Sequence, residues 1–322
     1  MNPGPRFQVT TLGEAMLRFS VRPGDRISDA PAYQIHVAGS EANVAHALAR
    51  VGLAASWASV LPRNPLAERI ASTLRSGGVD LSTVVWTERG RVGTYFVELA
   101  VPPRPTTVVY DRAGSTMAVA TPDMFDWDQV CDCRVLHVSG ITMGISPQGY
   151  DIALTAVREA KARGREVSLD VNYRSSLWTK EEASDALRAL SGQIDILICK
   201  ADDARDLFGC GGETKEIAGS LQEIFQSPRV VVTRGPLPSV AMAGDLCWER
   251  PSHQVRIIDR IGAGDAFAAG VLWGHLEGSL GHGLEWGAAM AALKMTLHGD
   301  LFTLDRDAVE GLLDQQGRDI QR

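Results

Sequence analysis

The chain has 322 residues, 45% hydrophobic and 22% charged, with a formal net charge of −7. That is ordinary soluble globular composition, long enough for one large domain or two smaller ones. There is no Lys/Arg run, no apolar stretch of about 18 residues, and no apolar core behind Met1-Asn2-Pro3-Gly4-Pro5-Arg6. These features argue against nucleic-acid binding, a membrane span and a secretory leader, so a cytoplasmic location is expected.

Residues 7–13 read as a first buried strand, and 14–20 continue with period-two character at Met16, Arg18 and Ser20. The segment 21–32 carries Pro23, Gly24, Asp25 and Pro31 and reads as a loop before a strand at 33–37. Ser40 reads as the N-cap of a helix whose Val44, Leu48 and Val51 share one face, and Gly52 ends it. A strand at 54–61 is broken by Pro62-Arg63-Asn64-Pro65, and a helix from about 66 to 76 stops at Gly77-Gly78. Residues 92–100 and 106–111 alternate, with Tyr95, Val97 and Leu99 on one face and Thr94, Phe96 and Glu98 on the other. No helix lies between these runs, so they form a hairpin around Pro102-Pro103-Arg104-Pro105.

From residue 134 onward short apolar strands alternate with helices. Strands are expected at 134–139, 166–171, 194–199 and 229–233, and helices at about 147–163, 180–190, 202–208 and 214–226. Strands at 238–243 and 253–258 follow, then helices at about 264–277, 284–297 and 305–315. This rhythm predicts a doubly wound, mainly parallel α/β sheet flanked by helices. A small β flap is made from segments near 18–35 and 91–112, and the whole chain, 1–322, is read as one domain. The five cysteines, Cys131, Cys133, Cys199, Cys210 and Cys247, are odd in number with only one close pair, which suggests reduced thiols. No histidine stands at zinc-type spacing from a cysteine, so no structural metal is expected.

The richest stretch runs from Asp259 to Gly270, D-R-I-G-A-G-D-A-F-A-A-G. It reads as a strand end, a tight glycine turn and the start of a helix. Gly262 and Gly264 let the backbone come close to a ligand, and the N–H groups of such a turn form an anion site. Asp265 then lies beside that anion. It is either a plain helix cap or a base that takes the proton of a hydroxyl attacking the anion. Other polar groups fall at predicted strand ends, where ligands of open α/β sheets bind: Asp170 to Arg174, Lys200 to Asp203, and Thr233-Arg234-Gly235. There is no G-x-x-x-x-G-K-[ST], no G-x-G-x-x-G after the first strand and no G-x-S-x-G.

Gly39-Ser40-Glu41-Ala42-Asn43-Val44-Ala45, together with Asp259-x-x-Gly262-Ala263-Gly264-Asp265-Ala266-Phe267, resembles the two signatures of the ribokinase-like (PfkB) carbohydrate kinases. Ser139-Gly140-Ile141-Thr142 and the stretch from Ser168 to Trp178 look more narrowly like 2-keto-3-deoxygluconate kinases. The resemblance covers nearly the whole chain. It implies that Asp265 is the catalytic base for phosphoryl transfer from ATP, with the N–H groups of Ala263, Gly264 and Asp265 holding the developing charge beside Gly262. It implies a sugar site from Gly39, Asn43, Ile141 and Arg174, with Tyr95, Tyr110 and Arg112 from the flap. A nucleotide site from Lys200, Thr233, Gly235 and the 286–300 region is also implied, with Mg²⁺ carried mostly through water and Asp203 at the family's acidic position. An acidic sugar needs a cation that can fork onto a carboxylate, and Arg174 and Arg112 are the candidates.

The departures fall on the nucleotide side. Lys200 stands where the family usually has asparagine and Asp203 where it has glutamate, Pro236 and Pro238 follow Gly235, and Arg260-Ile261 replaces the common form. A kinase for a neutral sugar such as fructose, ribose or a nucleoside stays open, as does a catalytically silent sugar-binding protein of the same fold. An uncovered flap face carrying Phe96 or Val97 implies a homodimer or higher homo-oligomer.

Overall fold

The computed structural model describes residues 4–99 and 103–315. The chain begins with β1 (Phe7–Leu12), β2 (Met16–Ser20), β3 (Gln34–Ala38), α1 (Ser40–Arg50), β4 (Ala55–Pro62), α2 (Pro65–Ser76) and β5 (Val84–Thr87). The hairpin strands β6 (Gly93–Glu98) and β7 (Thr107–Asp111) follow, then α3 (Trp127–Val130), β8 (Cys133–Ser139), α4 (Gly140–Gly144), α5 (Pro147–Ala162) and β9 (Glu166–Asp170). Next come α6 (Lys180–Arg188), β10 (Ile196–Lys200), α7 (Ala201–Phe208), α8 (Thr214–Phe225), β11 (Arg229–Arg234), β12 (Leu237–Ala243) and β13 (Leu246–Arg250). Three helices close the described chain: α9 (Ala263–Glu277), α10 (Leu280–Met295) and α11 (Arg306–Gln315).

Among the described residues nine strands form one sheet in the order β13-β12-β11-β10-β9-β8-β1-β4-β5. From β11 to β5 the neighbours run parallel, while β12 and β13 add an antiparallel edge. Val135, Leu136, Val167, Leu169, Leu197, Val230 and Val232 are fully buried, as strands covered by helices on both faces require. Chain order reverses at β1, which lies between β4 and β8, and this is where an open α/β sheet leaves a crevice. The second sheet is the flap, ordered β3-β2-β6-β7.

The flap has two unlike faces. Register pairs Arg18 with Tyr95 and Tyr95 with Tyr110 on the inner side, and Phe19 with Phe96 and Phe96 with Val109 on the outer side. Val97 is buried, so the outer aromatic is Phe96, stacked on Phe19 with ring centroids 5.3 Å apart. The expected strand 92–100 ends at Glu98, and residue 100 lies outside the described residues, as do residues 1–3, 101–102 and 316–322.

Several expectations need correction. Residues 253–258 form no strand, and Ile257 and Ile258 are exposed. The edge place beside β12 is taken by β13, so the apolar alternation of 253–258 has no ladder to join. Asp259 therefore does not end a strand; its backbone N–H, like that of Ile258, donates to the Met295 carbonyl. Ser40 is the first residue of α1 rather than its cap, which is Gly39. The helix expected at 284–297 starts at Leu280, capped by Ser279. Gly281 and Gly283 lie in the added first turn, where α9 packs closely: a methyl on Gly274 would fall 2.2 Å from the Gly283 nitrogen. The short edge strand β5 went unforeseen.

Candidate functional site

Two glycines shape the floor of the crevice. Gly39 links the flap strand β3 to α1 at φ 148°, and a Cβ there would lie 2.3 Å from the Glu14 carbonyl oxygen. Gly262 caps α9 in the left-handed region at φ 86°, and a Cβ there would meet the Asp300 carbonyl oxygen at 2.1 Å. Neither position tolerates another residue without a backbone shift. They bring the N-termini of α1 and α9 face to face. Ala263 spends its N–H on the Arg260 carbonyl within the turn, leaving the N–H groups of Gly264 and Asp265 without an acceptor among the described residues.

Asp265 stands in the first turn of α9, buried, and its carboxylate does not cap the helix. It accepts hydrogen bonds from Ser40 Oγ and Asn43 Nδ2, both at 2.7 Å. Asn172, at φ 37°, donates from Nδ2 to Ser40 Oγ at 3.0 Å and so fixes the direction of the serine hydroxyl. Behind Ser40, the fully buried Glu41 accepts at Oε1 from Ser139 Oγ and Thr142 Oγ1, while its Oε2 has no partner among the described residues. Burial pushes Glu41 up to about 7.

One cleft gathers the sugar-side residues. Gly39, Asn43, Gly262 and Asp265 form its floor, Tyr95, Tyr110 and Arg112 come from the flap, and Ile141 and Arg174 stand on the facing wall. Asn43 Oδ1 and Arg112 Nε are buried polar atoms without a partner among the described residues, on two residues that line the cleft. Such atoms are normally satisfied, and a hydroxylated ligand can satisfy them. The two arginines differ. Arg112 is held by the Glu14 carboxylate, which also takes the Ser115 hydroxyl. Arg174 is exposed and its guanidinium makes no hydrogen bond or ion pair among the described residues, so its fork is free for a ligand.

Sequence reasoning missed Asp300, which also lines the cleft. Asp300 accepts from Tyr95 Oη and pairs with Arg18 at 2.9 Å, while Arg18 pairs with Asp259 at 2.7 Å. All four groups are buried. Arg18 was visible only as one position of a period-two strand, and Asp300 was assigned to the nucleotide region.

The nucleotide-side residues lie away from this cleft. Lys200 and Thr233 are register partners at the ends of β10 and β11, and Gly235 turns from β11 to β12 at φ 60°. Lys200 and Gly235 are exposed. Nearby, burial raises the Asp170 carboxyl to about 7, an effect that the Lys200 and Arg174 charges oppose. Burial also raises Asp203, whose Oδ2 has no partner. Two carboxyls raised by burial, one with an oxygen orphaned among the described residues, could accept from the waters of a hydrated divalent cation.

The family model described as pfkB family carbohydrate kinase matches residues 6–306. The chain is 37% identical over 307 residues to a 2-dehydro-3-deoxygalactonokinase of Haloferax volcanii, covering 95% of this chain and 96% of that one. The solved 2-dehydro-3-deoxygluconokinase of Thermotoga maritima superposes with a TM-score of 0.90 at 32% identity, over 96% of this chain and 100% of that one. An E. coli structure assigned as a ribokinase II, in complex with ATP and Mg²⁺, shares the fold at a TM-score of 0.87 and 21% identity, over 96% and 99% of the two chains.

Proposed function

This chain belongs to the pfkB family of carbohydrate kinases, and we propose that it transfers the γ-phosphoryl group of ATP to a hydroxyl of 2-keto-3-deoxygluconate or a close acidic keto-sugar. The carrying observation is the Asp265 carboxylate, presented by Ser40 and Asn43 beside the free N–H groups of Gly264 and Asp265, with the unpaired Arg174 on the opposite wall. Relatives named for two such sugars support this reading.

The sugar lies between the flap and α1, its carboxylate on Arg174 and its hydroxyls on Asn43, Asp300 and the Arg112 edge. Asp265 Oδ takes the proton of the attacking hydroxyl as the new O–P bond forms and the bond from the γ-phosphorus to the β,γ-bridging oxygen breaks, with ADP as the leaving group. The Gly264 and Asp265 N–H groups receive charge on the transferring phosphoryl oxygens. Phosphoryl transfer has a loose transition state, so alignment and charge neutralisation are the protein's main contribution. Lys200, Thr233 and Gly235 face the nucleotide. Asp170 and Asp203 would hold Mg²⁺ through its waters, and that ion supplies neutralisation of the phosphate charge when bound.

Asp265 and its donors are unneeded in a silent binding protein, which makes the enzyme the better reading. A coupled ADP-release assay over acidic and neutral sugars tests it. Turnover is expected on the acidic keto-sugars; turnover confined to neutral sugars would refute the substrate class.

The outer flap face, with Phe19, Phe96, Tyr33, Ile35 and Val109, leaves the last three side chains 36–49% exposed. Such a face supports a homodimer through the flap, and one 34.7 kDa species in light scattering would contradict it. Among the described residues no helix is long and apolar enough to cross a membrane. A cytoplasmic site of action accords with that and with the substrate chemistry.

A further inference from the structure

Behind the turn that carries Gly262 and Asp265 lies a cation that the transfer chemistry never touches. Lys294, in the last turn of α10, is completely buried, the one lysine so enclosed among the described residues. Its hydrogen-bond partners are not carboxylates. Nζ donates to the Asp259 carbonyl oxygen at 3.1 Å and the Leu297 carbonyl oxygen at 3.5 Å. These carbonyls belong to the two segments that close against each other under the cleft, 259–265 and 294–300. Met295 accepts from the Asp259 N–H, Asp259 Oδ2 accepts from the Gly299 N–H at 3.2 Å, and Gly262 rests on the Asp300 carbonyl. Asp259 Oδ1 in turn accepts the Ile261 N–H at 3.1 Å. The ammonium thus sits at the back of the same turn whose front lines the cleft.

The charge balance gives this position a purpose. The buried groups beneath the turn are Asp259 and Asp300, each paired with Arg18. Two carboxyls thus share one guanidinium under the site that receives the phosphates, with Asp265 close by, and Lys294 is the second cation among them. Burial pushes the lysine down, and the Asp259 and Asp300 carboxylates push it back toward its charged form.

We propose that Lys294 is a positioning residue that acts as a tethered monovalent cation, fixing the peptide carbonyls behind the turn and neutralising the ground beneath the transferring phosphoryl group, so that this kinase needs no free potassium or ammonium ion. An alkylammonium and a potassium ion carry the same charge, are close in size and are both held by peptide carbonyls. Truncating the lysine should therefore open a carbonyl-lined cavity that a free monovalent cation can enter. The proposal rests on the kinase reading of the turn.

The experiment compares the wild type with Lys294→Ala in chloride salts of choline, sodium, potassium and ammonium at constant ionic strength, reading both turnover and melting temperature. Wild-type kcat should stay within about twofold across the salts, since its cation is covalently attached. Lys294→Ala in choline should lose about thirtyfold or more in kcat, the scale of losing a preorganised charge at the reacting centre. Potassium or ammonium should restore about tenfold of that loss and raise the melting temperature of the variant alone by about 3 °C. Strong potassium activation of the wild type would overturn the proposal. So would a fully active Lys294→Ala in choline, or a folded, inactive variant that no cation rescues or stabilises. If Lys294→Ala does not fold, Lys294→Met replaces it, and the wild-type salt series decides by itself. If the wild type phosphorylates no sugar, the kinase reading fails, while selective stabilisation of the variant by potassium still reports on the cavity.

Discussion

The sugar cleft and the nucleotide-side strand ends beside it are built differently. At the sugar end, the groups around the base are buried and committed to one another: Ser40, Asn43 and Asn172 order Asp265, and Arg18 locks Asp259 and Asp300 beneath Tyr95, while Asn43 Oδ1, Arg112 Nε and the Arg174 guanidinium are left for the sugar. At the nucleotide end, Lys200 and Gly235 are exposed, the Lys200 ammonium makes no hydrogen bond or ion pair among the described residues, and Asp203 keeps an orphaned oxygen there. A preorganised site loses little entropy when its ligand arrives, and its geometry can discriminate between closely similar sugars. The donor brings its own charge and cation, so its end can stay open until the ligand completes it. The departures at Lys200, Asp203, Pro236 and Pro238 fall at the open end, but the one at Arg260-Ile261 does not, because Ile261 lines the sugar cleft.

The sharpest way to break this contrast is Arg18→Leu. It strands Asp259 and Asp300 as buried charges, and removing one member of such a cluster is expected to destabilise the fold by about 3–5 kcal/mol. Urea denaturation reads that loss; an unchanged midpoint would mean that the cluster does not hold the flap to the core.

Glu41→Gln probes the same end through pH. The folded Glu41 carboxyl sits at about 7 against 4.5 for a free glutamate, so the native chain keeps its proton to higher pH than the unfolded chain does. The stability this contributes is full below about 4.5 and is lost as pH rises through about 7. At about 1.4 kcal/mol per pH unit, the wild type should lose roughly 3 kcal/mol relative to Glu41→Gln across that window. Parallel stability profiles for the two proteins would show that Glu41 is ionised in the fold.

Arg174→Leu sharpens the sugar assignment. Removing a charge-assisted fork should raise KM for an acidic keto-sugar by about ten- to a hundredfold and leave a neutral sugar nearly unchanged. Equal effects on both would remove the carboxylate contact. The smallest effect belongs to the open end: Lys200→Ala should raise KM for ATP by about threefold with no change in stability, as expected for an exposed charge. A large drop in stability there would erase the contrast between the ends.

How much of this was legible depended on sequence distance. The Gly262–Asp265 turn and the Gly39–Asn43 helix start are local motifs, so the backbone they need is written in adjacent residues. The alternation of Tyr95, Val97 and Leu99 revealed the flap, because period two survives in a half-buried strand. The Arg18–Asp300 pair joins positions 282 residues apart, and neither carries a local signature. Ser40 was misread because a serine before a helix ordinarily caps it; here the glycine φ moved the cap back one place and released the hydroxyl to Asp265. The start of α10 was hidden by glycines that serve helix packing, and the strand-like run 253–258 lacked a neighbour, which periodicity cannot show.

The central claim is that Asp265 is a base within a sugar site already formed without it. Asp265→Asn keeps the shape and removes the basic oxygen, so turnover and calorimetric sugar binding should be measured on one preparation of that variant. The account predicts kcat lower by about a thousandfold with sugar Kd within about threefold of the wild type. Turnover within about tenfold of the wild type would contradict it, because a general base in the transfer step contributes more than that.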